Sequence, residues 1–414
     1  MHRRTVLIGL CLVAVSPGFA TARDDGFTLR FDSPGKAARE IPIAVTVTPP
    51  AGGGNISGYY TLLKIGGDKH LQSNAVLRRD GERGWLIEAV LTGVGEGPNS
   101  YTLRPRALLP EIGSGRALPV EFHPAGPNVE MLVNGEPFAT YRVDDGPKPF
   151  LWPLIGPGKI RYTRAFPMEK VAAEDADHPH QRSLWFTYGM ANGVDFWAEQ
   201  KGHGSIKETS RKFERTGLVV KSLKTTDDWL GSDGEKILQD ERTLTVWGTM
   251  KNRVLDLDVT LKATEGPVKF GDTKEGMFGL RVPSSMDVKA KKGGKIVNAQ
   301  GLIDGAAWGK RSSWVDYSGP VDGKTVGITI LEHPTSYGSP TPWHVRDYGL
   351  FAANPFGRHD FGLADKPTPT ILPKGESFTF RYRVILHEGD AQASDPATAF
   401  EFYAKPPKMT LTRD

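Results

Sequence analysis

The chain has 414 residues, with 52 Lys and Arg against 48 Asp and Glu and a formal net charge of +4. A balance this close to neutral, with the signs mixed, makes no case for a nucleic-acid partner. A hydrophobic content of 38%, with 9 Trp and 19 Phe, supplies a sizeable core, and 48 Gly with 31 Pro point to a turn-rich rather than a helical protein.

The first 22 residues stand apart. Arg3 and Arg4 precede an apolar run over 5–15, and Ala20-Thr21-Ala22 has the small-x-small form of a cleavage site. This reads as a secretory signal peptide. A membrane anchor needs about 20 apolar residues, and the run is too short. Cleavage after Ala22 removes Cys11, the single Cys, so the mature chain has no disulfide and no Cys-ligated metal. The expected location is periplasmic or extracellular, and no later segment is apolar enough to insert in a membrane.

Residues 23–115 carry short β-branched or aromatic runs at 41–47, 59–65, 85–91 and 101–103, each separated by Gly, Pro or Asn. These predict a small immunoglobulin-like β-sandwich. Residues 116–414 continue in the same style. Runs at 120–123, 129–133 and 138–143 open the region, and Asn134-Gly135 between the last two is a hairpin signal. Further runs fall at 243–247, 254–261, 277–282, 325–331 and 378–385; only 397–404 has a helical pattern. The reading is all-β, with roughly 15–20 strands over 118–390 forming one large antiparallel sandwich.

Polar and aromatic residues concentrate in four stretches of the second region. In Asp177–Phe186, strand alternation puts His178, His180 and Arg182 on one face, with Trp185 nearby. In 192–197, Asn192-Gly193 marks a turn and Asp195 accompanies Trp197, a pairing that suits a sugar: the ring covers C–H faces and the carboxylate takes hydroxyls. In 272–281, Lys274 and Glu275 stand at a loop–strand junction. In 342–349, Trp343, His344 and Arg346 follow one another closely. His180 is the main candidate for proton transfer, Arg182 disfavouring its imidazolium, with His178, His344 and Glu275 as further catalytic candidates. Arg182, Trp185, Asp195, Trp197, Lys274, Trp343 and Arg346 are the substrate-binding candidates. There is no G-x-S-x-G, no H-E-x-x-H and no Gly-rich nucleotide loop. No cofactor is expected; a divalent metal on His178, His180, His344 and a carboxylate is the alternative.

Taken together, the words KPFLWPLIGPG (148–158), TRAFPM (163–168), DHPHQRSLWF (177–186), NGVDFW (192–197), DTKEGMFGLR (272–281), WVDYSG (314–319) and PTPWHVRDYGLFAANPFG (340–357) resemble the PmoA-like family of bacterial secreted proteins. The resemblance covers about 140–390. A His that often follows the His180 position in that family is Gln181 here. The family label suggests a methane monooxygenase subunit, but such subunits are membrane-embedded and this chain has no spanning run. The fold implied is similar to galactose mutarotase, in whose relatives a His acid and a Glu base work across a sugar ring; no motif here aligns with those positions. The expected function is an exported carbohydrate-active enzyme (hydrolase, lyase or epimerase) with a His acid and Glu275 or Asp195 as base. The alternative is a non-catalytic glycan-binding protein using Trp185, Trp197 and Trp343 as platforms.

Overall fold

The computed structural model describes residues 26–36, 38–48, 55–67, 72–81, 84–106 and 119–414. The signal-peptide reading of 1–22 and the expected boundary at 115/116 lie outside these residues.

The first six strands are β1 (Phe27–Ser33), β2 (Ala38–Val47), β3 (Gly58–Lys64), β4 (Gln72–Arg79), β5 (Trp85–Val94) and β6 (Gly97–Arg106). They pair antiparallel in the order β2-β5-β4-β3-β6-β1. Alternate residues point to one side, so Phe27, Leu29 and Phe31, Ile87, Ala89 and Leu91, and Tyr101 and Leu103 share one buried cluster. Each such side chain contributes about 1.5–3 kcal/mol on burial. The seventh strand of this sheet is Thr410–Arg413, at the far end of the chain, which pairs with β1. The expected grouping of 116–414 departs from the pairing there: Met409 and Leu411 complete the first core, not the second. Pro42 lies in β2, an edge strand, where its missing N–H costs no ladder bond. Its carbonyl accepts from Arg383 Nη1 at 3.1 Å and ties this sheet to the rest of the molecule.

The remaining strands are β7 (Val120–Ala125), β8 (Asn128–Val133), β9 (Glu136–Arg142), β10 (Phe150–Leu154), β11 (Leu184–Tyr188), β12 (Ser205–Thr216), β13 (Val220–Leu230), β14 (Lys236–Trp247), β15 (Arg253–Lys262), β16 (Val268–Phe270), β17 (Gly276–Arg281) and β18 (Lys295–Asn298). They continue with β19 (Trp314–Val321), β20 (Lys324–Glu332), β21 (Trp343–Val345), β22 (Leu350–Ala353), β23 (Thr370–Leu372) and β24 (Ser377–Glu388). Two short helices, α1 (Ala391–Ser394) and α2 (Pro396–Ala404), then lead to β25 (Thr410–Arg413), the strand already described. Asn134 and Gly135 both take positive φ, 54° and 76°, so the expected hairpin joins β8 and β9. The helical pattern at 397–404 is α2, started by Pro396 at its first turn and by the Asp395 carboxylate, which accepts the Thr398 N–H.

Two eight-stranded antiparallel sheets face each other. One runs β21-β22-β17-β11-β10-β9-β8-β7 and the other β12-β13-β14-β15-β24-β20-β19-β18. Their inner faces interlock through aromatic pairs: Phe278 stacks on Tyr382 at 4.7 Å, and Phe186 meets Phe380 at 5.7 Å. The all-β sandwich reading is what the chain forms. The long polar strand β12 escaped the sequence reading because its pattern, SIKETSRKFERT, is that of a charged sheet edge rather than an alternating core strand.

The outer face of the first eight-stranded sheet is the one that matters for function. Phe150, Trp185, Gly279, Ala352 and His344 are cross-strand neighbours in one row over β10, β11, β17, β22 and β21. This row faces away from the sandwich core. Phe150, Trp185 and Ala352 belong to a separate buried cluster with Trp197 and Leu350. Irregular segments bring Trp197 against Trp185 and Trp308 against His344.

Candidate functional site

The floor of the site is set by Gly279. A Cβ there would stand 2.5 Å from the Trp185 ring, so only glycine lets Trp185 lie across the neighbouring strand. Above it comes Trp197, 5.3 Å away and tilted by 59°. Its loop is fixed locally: Asn192 and Gly193 turn the chain with φ of 49° and 83°. The Asp195 carboxylate then accepts the N–H groups of Trp197 at 2.7 Å and Ala198 at 3.1 Å. Both tryptophans are about 1% exposed, yet neither indole N–H has a hydrogen-bond partner.

From Trp197 the ring contacts continue as an arc. His180 lies 6.3 Å from Trp197, His178 lies 5.7 Å from His180, and His178 stacks flat on Tyr348 at 5.1 Å. The Arg346 guanidinium sits 5.3 Å from the Tyr348 ring and 5.8 Å from Trp308. Trp308 in turn is 6.5 Å from His344, which closes the arc back onto the sheet. His344 and Trp185 stand three strand positions apart, roughly 14 Å. The indole N–H of Trp308 and Nε2 of His344 are also buried without partners. Three core indoles differ: Trp229 donates to Asp240 at 2.6 Å, Trp247 to Asp256 at 2.9 Å and Trp343 to the Ser312 carbonyl at 2.8 Å, whereas the indole N–H of Trp152 on β10 is a further buried donor without a partner.

Two histidines of the arc are held neutral. Burial, then the charges of Lys148 and His178, lower His180 to about 4. Burial, then the Arg346 charge, lowers His344 to about 3. Nδ1 of His344 lies 3.0 Å from the Lys274 carbonyl, so that nitrogen carries the proton and donates. Nε2 is therefore the lone-pair acceptor, and it is the atom left unpartnered.

Ion pairs buttress both ends. Lys148, fully buried, contacts Glu199 and is lowered to about 8 by burial, which the Glu199 charge partly offsets. Arg182 donates to both Glu199 oxygens and to Asp145 at 3.3 Å. At the other end Arg164 bridges Asp177 and Asp287 at 2.9 and 3.0 Å. Arg281 reaches Asp177 and Gln181 and lies 5.2 Å over Tyr348. Burial alone would raise Asp177, but Arg281 and the hydrogen bond to His178 hold it near 2. Burial wins at Asp287, which rises to about 6 against the pull of Arg164.

The structure thus brings together His178, His180, Trp185, Trp197, His344 and Arg346, although they span three of the four polar stretches. It corrects other expectations. Residues 177–183 are not a strand: His178 and Ser183 have φ of 50° and 55°, and β11 begins at Leu184. Arg182 does not tune His180; its donors go to Glu199 and Asp145, and the lowering comes from burial first and then from the Lys148 charge. His180 is no acid at neutral pH, being already deprotonated. Asp195 fixes a loop through Oδ1. Trp343 faces the inter-sheet core, not the site. Lys274 and Glu275 pair with each other at 3.4 Å on the surface, and the Lys274 contribution to the arc is its carbonyl. Lys148, Glu199, Arg281, Trp308 and Tyr348 went unnoticed in the sequence. Tyr348 had a signal, since it follows His344 and Arg346 at two-residue spacing.

Among the described residues no group of three or more His, Cys, Asp or Glu side chains is placed to hold a metal ion. His178 Nδ1 instead contacts Asp177 at 2.8 Å. Two cavities lie off the arc. One, of about 410 Å³, opens beside Glu199 and His203. The other, of about 530 Å³, separates β2 from β24 and the α1–α2 segment. No described helix is long and apolar enough to cross a membrane.

No curated protein matches the chain. Among solved structures it is similar to the GH36 alpha-galactosidase AgaA from Geobacillus stearothermophilus, in complex with stachyose and with raffinose. Identity is 12% over 66% of this chain and 40% of that one, with TM-scores of 0.33 and 0.31. It is also similar to a galactose mutarotase related enzyme from Lactobacillus acidophilus, at 10% identity over 65% of this chain and 97% of that one, with a TM-score of 0.24. This chain spans about two fifths of the length of the alpha-galactosidase. Likenesses this distant carry no argument about chemistry. The PmoA-like resemblance is not among these matches. A model described as "Family of unknown function (DUF6807)" matches residues 128–401, a span that contains the whole arc from Lys148 to Tyr348. The chain belongs to this DUF6807 family of unknown function.

Proposed function

We propose that this is a carbohydrate-active enzyme that takes a sugar on the outer face of the first eight-stranded sheet. The observation that carries the reading is the set of buried, unpartnered polar atoms on the arc: the indole N–H groups of Trp185, Trp197 and Trp308, and Nε2 of His344. A buried donor or acceptor without a partner costs about 1–3 kcal/mol. Four such atoms, each beside an aromatic ring, match a ligand that offers both hydroxyls and apolar C–H faces, which is the chemistry of a sugar.

In this reading the neutral His344 accepts a proton at Nε2. His180 is a second neutral acceptor at the far end of the arc. The roles differ from the sequence expectation, in which His180 served as acid and Glu275 as base. Screening turnover of a glycan panel by the wild type, His344→Asn and His180→Ala tests the proposal. Loss of about 10²–10⁴ in turnover with the fold intact supports proton transfer at the substituted position. Unchanged turnover in both variants rejects it.

The non-catalytic alternative draws on one observation, the surface pairing of Glu275 with Lys274, which ties up the carboxylate assigned as base. Glycan binding without turnover by the wild type would favour it. Export to the periplasm or beyond rests on the sequence of residues 1–22, and an N-terminus at Arg23 in the native host's protein would bear it out.

A further inference from the structure

The arc contains one cation that no described carboxylate neutralises. Every other arginine around it has a carboxylate: Arg164 has Asp177 and Asp287, Arg281 has Asp177, and Arg182 has Glu199 and Asp145. Arg346 has neither an ion pair nor a side-chain hydrogen bond among the described residues. Its guanidinium is half-buried and held only by ring faces, 5.3 Å from Tyr348 and 5.8 Å from Trp308.

That support is specific. Aromatic faces contact a guanidinium through its plane and leave the N–H edges free. The two rings are themselves fixed. Tyr348 is stacked on its other contacts by His178 and Arg281, and Trp308 packs edge-on against Phe361 at 5.6 Å. A long, flexible side chain is thereby oriented before any ligand arrives, so little rotamer freedom remains to be lost on binding. A guanidinium without a hydrogen-bond partner keeps its planar fork of donors for a ligand, the pattern that a carboxylate accepts in a bidentate pair. The unpartnered Trp308 N–H and His344 Nε2 lie within one ring contact of it.

The charges nearest the guanidinium do not already serve this purpose. Glu275 is engaged by Lys274 at 3.4 Å, and Asp175 lies 3.6 Å from Lys289. Asp347, next in sequence, is exposed. His344 is neutral and adds no charge of its own there.

We infer that Arg346 is a specificity-determining residue and that the sugar bound on the arc carries a carboxylate, as a uronic acid does. The inference rests on the carbohydrate reading above and adds the class of sugar. The neutral face of the ligand would lie toward Trp185 and Trp197, and the carboxylate toward the Arg346 end.

The test uses matched pairs of probes on the full chain: methyl glucuronoside against methyl glucoside, methyl galacturonoside against methyl galactoside, and short oligomers of each. Binding is measured by calorimetry at low and at 0.5 M salt for the wild type, Arg346→Gln and Arg346→Lys, with near-ultraviolet circular dichroism confirming the fold of each. The expected result is at least tenfold tighter binding of one uronate than of its neutral partner. That ratio should fall close to unity in Arg346→Gln and be only partly kept in Arg346→Lys, which retains the charge without the fork. A neutral sugar that binds the wild type as tightly as its uronate overturns the inference and leaves the carbohydrate reading standing. A uronate preference that survives Arg346→Gln also overturns it. A wild type that binds no probe of either kind removes the carbohydrate reading itself.

Discussion

The two faces of the first eight-stranded sheet are built from the same strands and behave differently. The inner face is mostly apolar. Phe186, Phe278 and Trp343 pack against the opposite sheet, and the one polar atom among them, the Trp343 indole nitrogen, donates to Ser312. The outer face is equally buried, but it keeps Trp185, Trp197, Trp308 and His344 with polar atoms unanswered. It also collects a dense set of charges, from Lys148 and Glu199 at one end to Arg164, Arg281 and Arg346 at the other. Burial alone therefore does not separate core from site. What separates them is where unanswered polar atoms gather: the core leaves isolated ones such as the Tyr382 hydroxyl, whereas the outer face clusters three indole N–H groups and a neutral imidazole beside charged side chains.

The largest effect that tests this contrast is on the inner face. Phe278→Ala removes a ring stacked on Tyr382 and leaves a cavity, which should cost about 3–5 kcal/mol in urea denaturation. A loss under 1 kcal/mol would mean that the inner face is not the stabilising one. The next effect compares the faces with one substitution. Trp343→Phe strands the Ser312 carbonyl, whereas Trp185→Phe deletes a donor that has no partner. The first should cost more than the second by about 1–3 kcal/mol. Equal costs would erase the distinction.

Acid should reveal the outer face. His344 is lowered to about 3 in the folded chain and returns to its ordinary value near 6.5 on unfolding. Between those values the unfolded state binds the extra proton, so stability falls as pH falls through 6.5. From pH 7 to pH 5 the loss due to His344 alone is about 2 kcal/mol. His344→Gln should flatten that part of the stability profile; an unaltered slope would place the titration elsewhere. The smallest effect belongs to the surface pair. Glu275→Gln should change stability by less than about 1 kcal/mol, because the Lys274 and Glu275 side chains are both partly open to solvent. A larger loss would show that the pair supports the His344 contact with the Lys274 carbonyl.

Much of the fold was legible because strand signals are local. Gly, Pro and Asn-Gly punctuation bounds the runs, and Asn134-Gly135 made the hairpin it announces. The edge strand β12 was not legible because it lacks an alternating apolar pattern, and the return of β25 to the first sheet was not, because a four-residue strand does not say which sheet it joins. The site was readable as composition but not as geometry. His178, His180 and Arg182 look like one face of a strand, yet positive φ at His178 and Ser183 sends Arg182 to Glu199 instead. Lys148 and Glu199 are 51 positions apart and meet only in three dimensions, so no spacing rule finds them. Trp185, Trp197 and Trp343 were indistinguishable by type. Only the row through Gly279 and Ala352 shows which of them faces the site.

The central claim is that a sugar answers the unpartnered atoms of the outer face. The most direct test labels the tryptophan indoles with ¹⁵N, assigns them by single Trp→Phe variants, and follows their N–H resonances during titration with neutral and uronate glycosides. The account expects the Trp185, Trp197 and Trp308 signals to shift together and to exchange more slowly with solvent, while Trp229 and Trp343, already bonded in the core, stay in place. Binding that leaves those three signals unmoved, or that moves the core indoles instead, would contradict it.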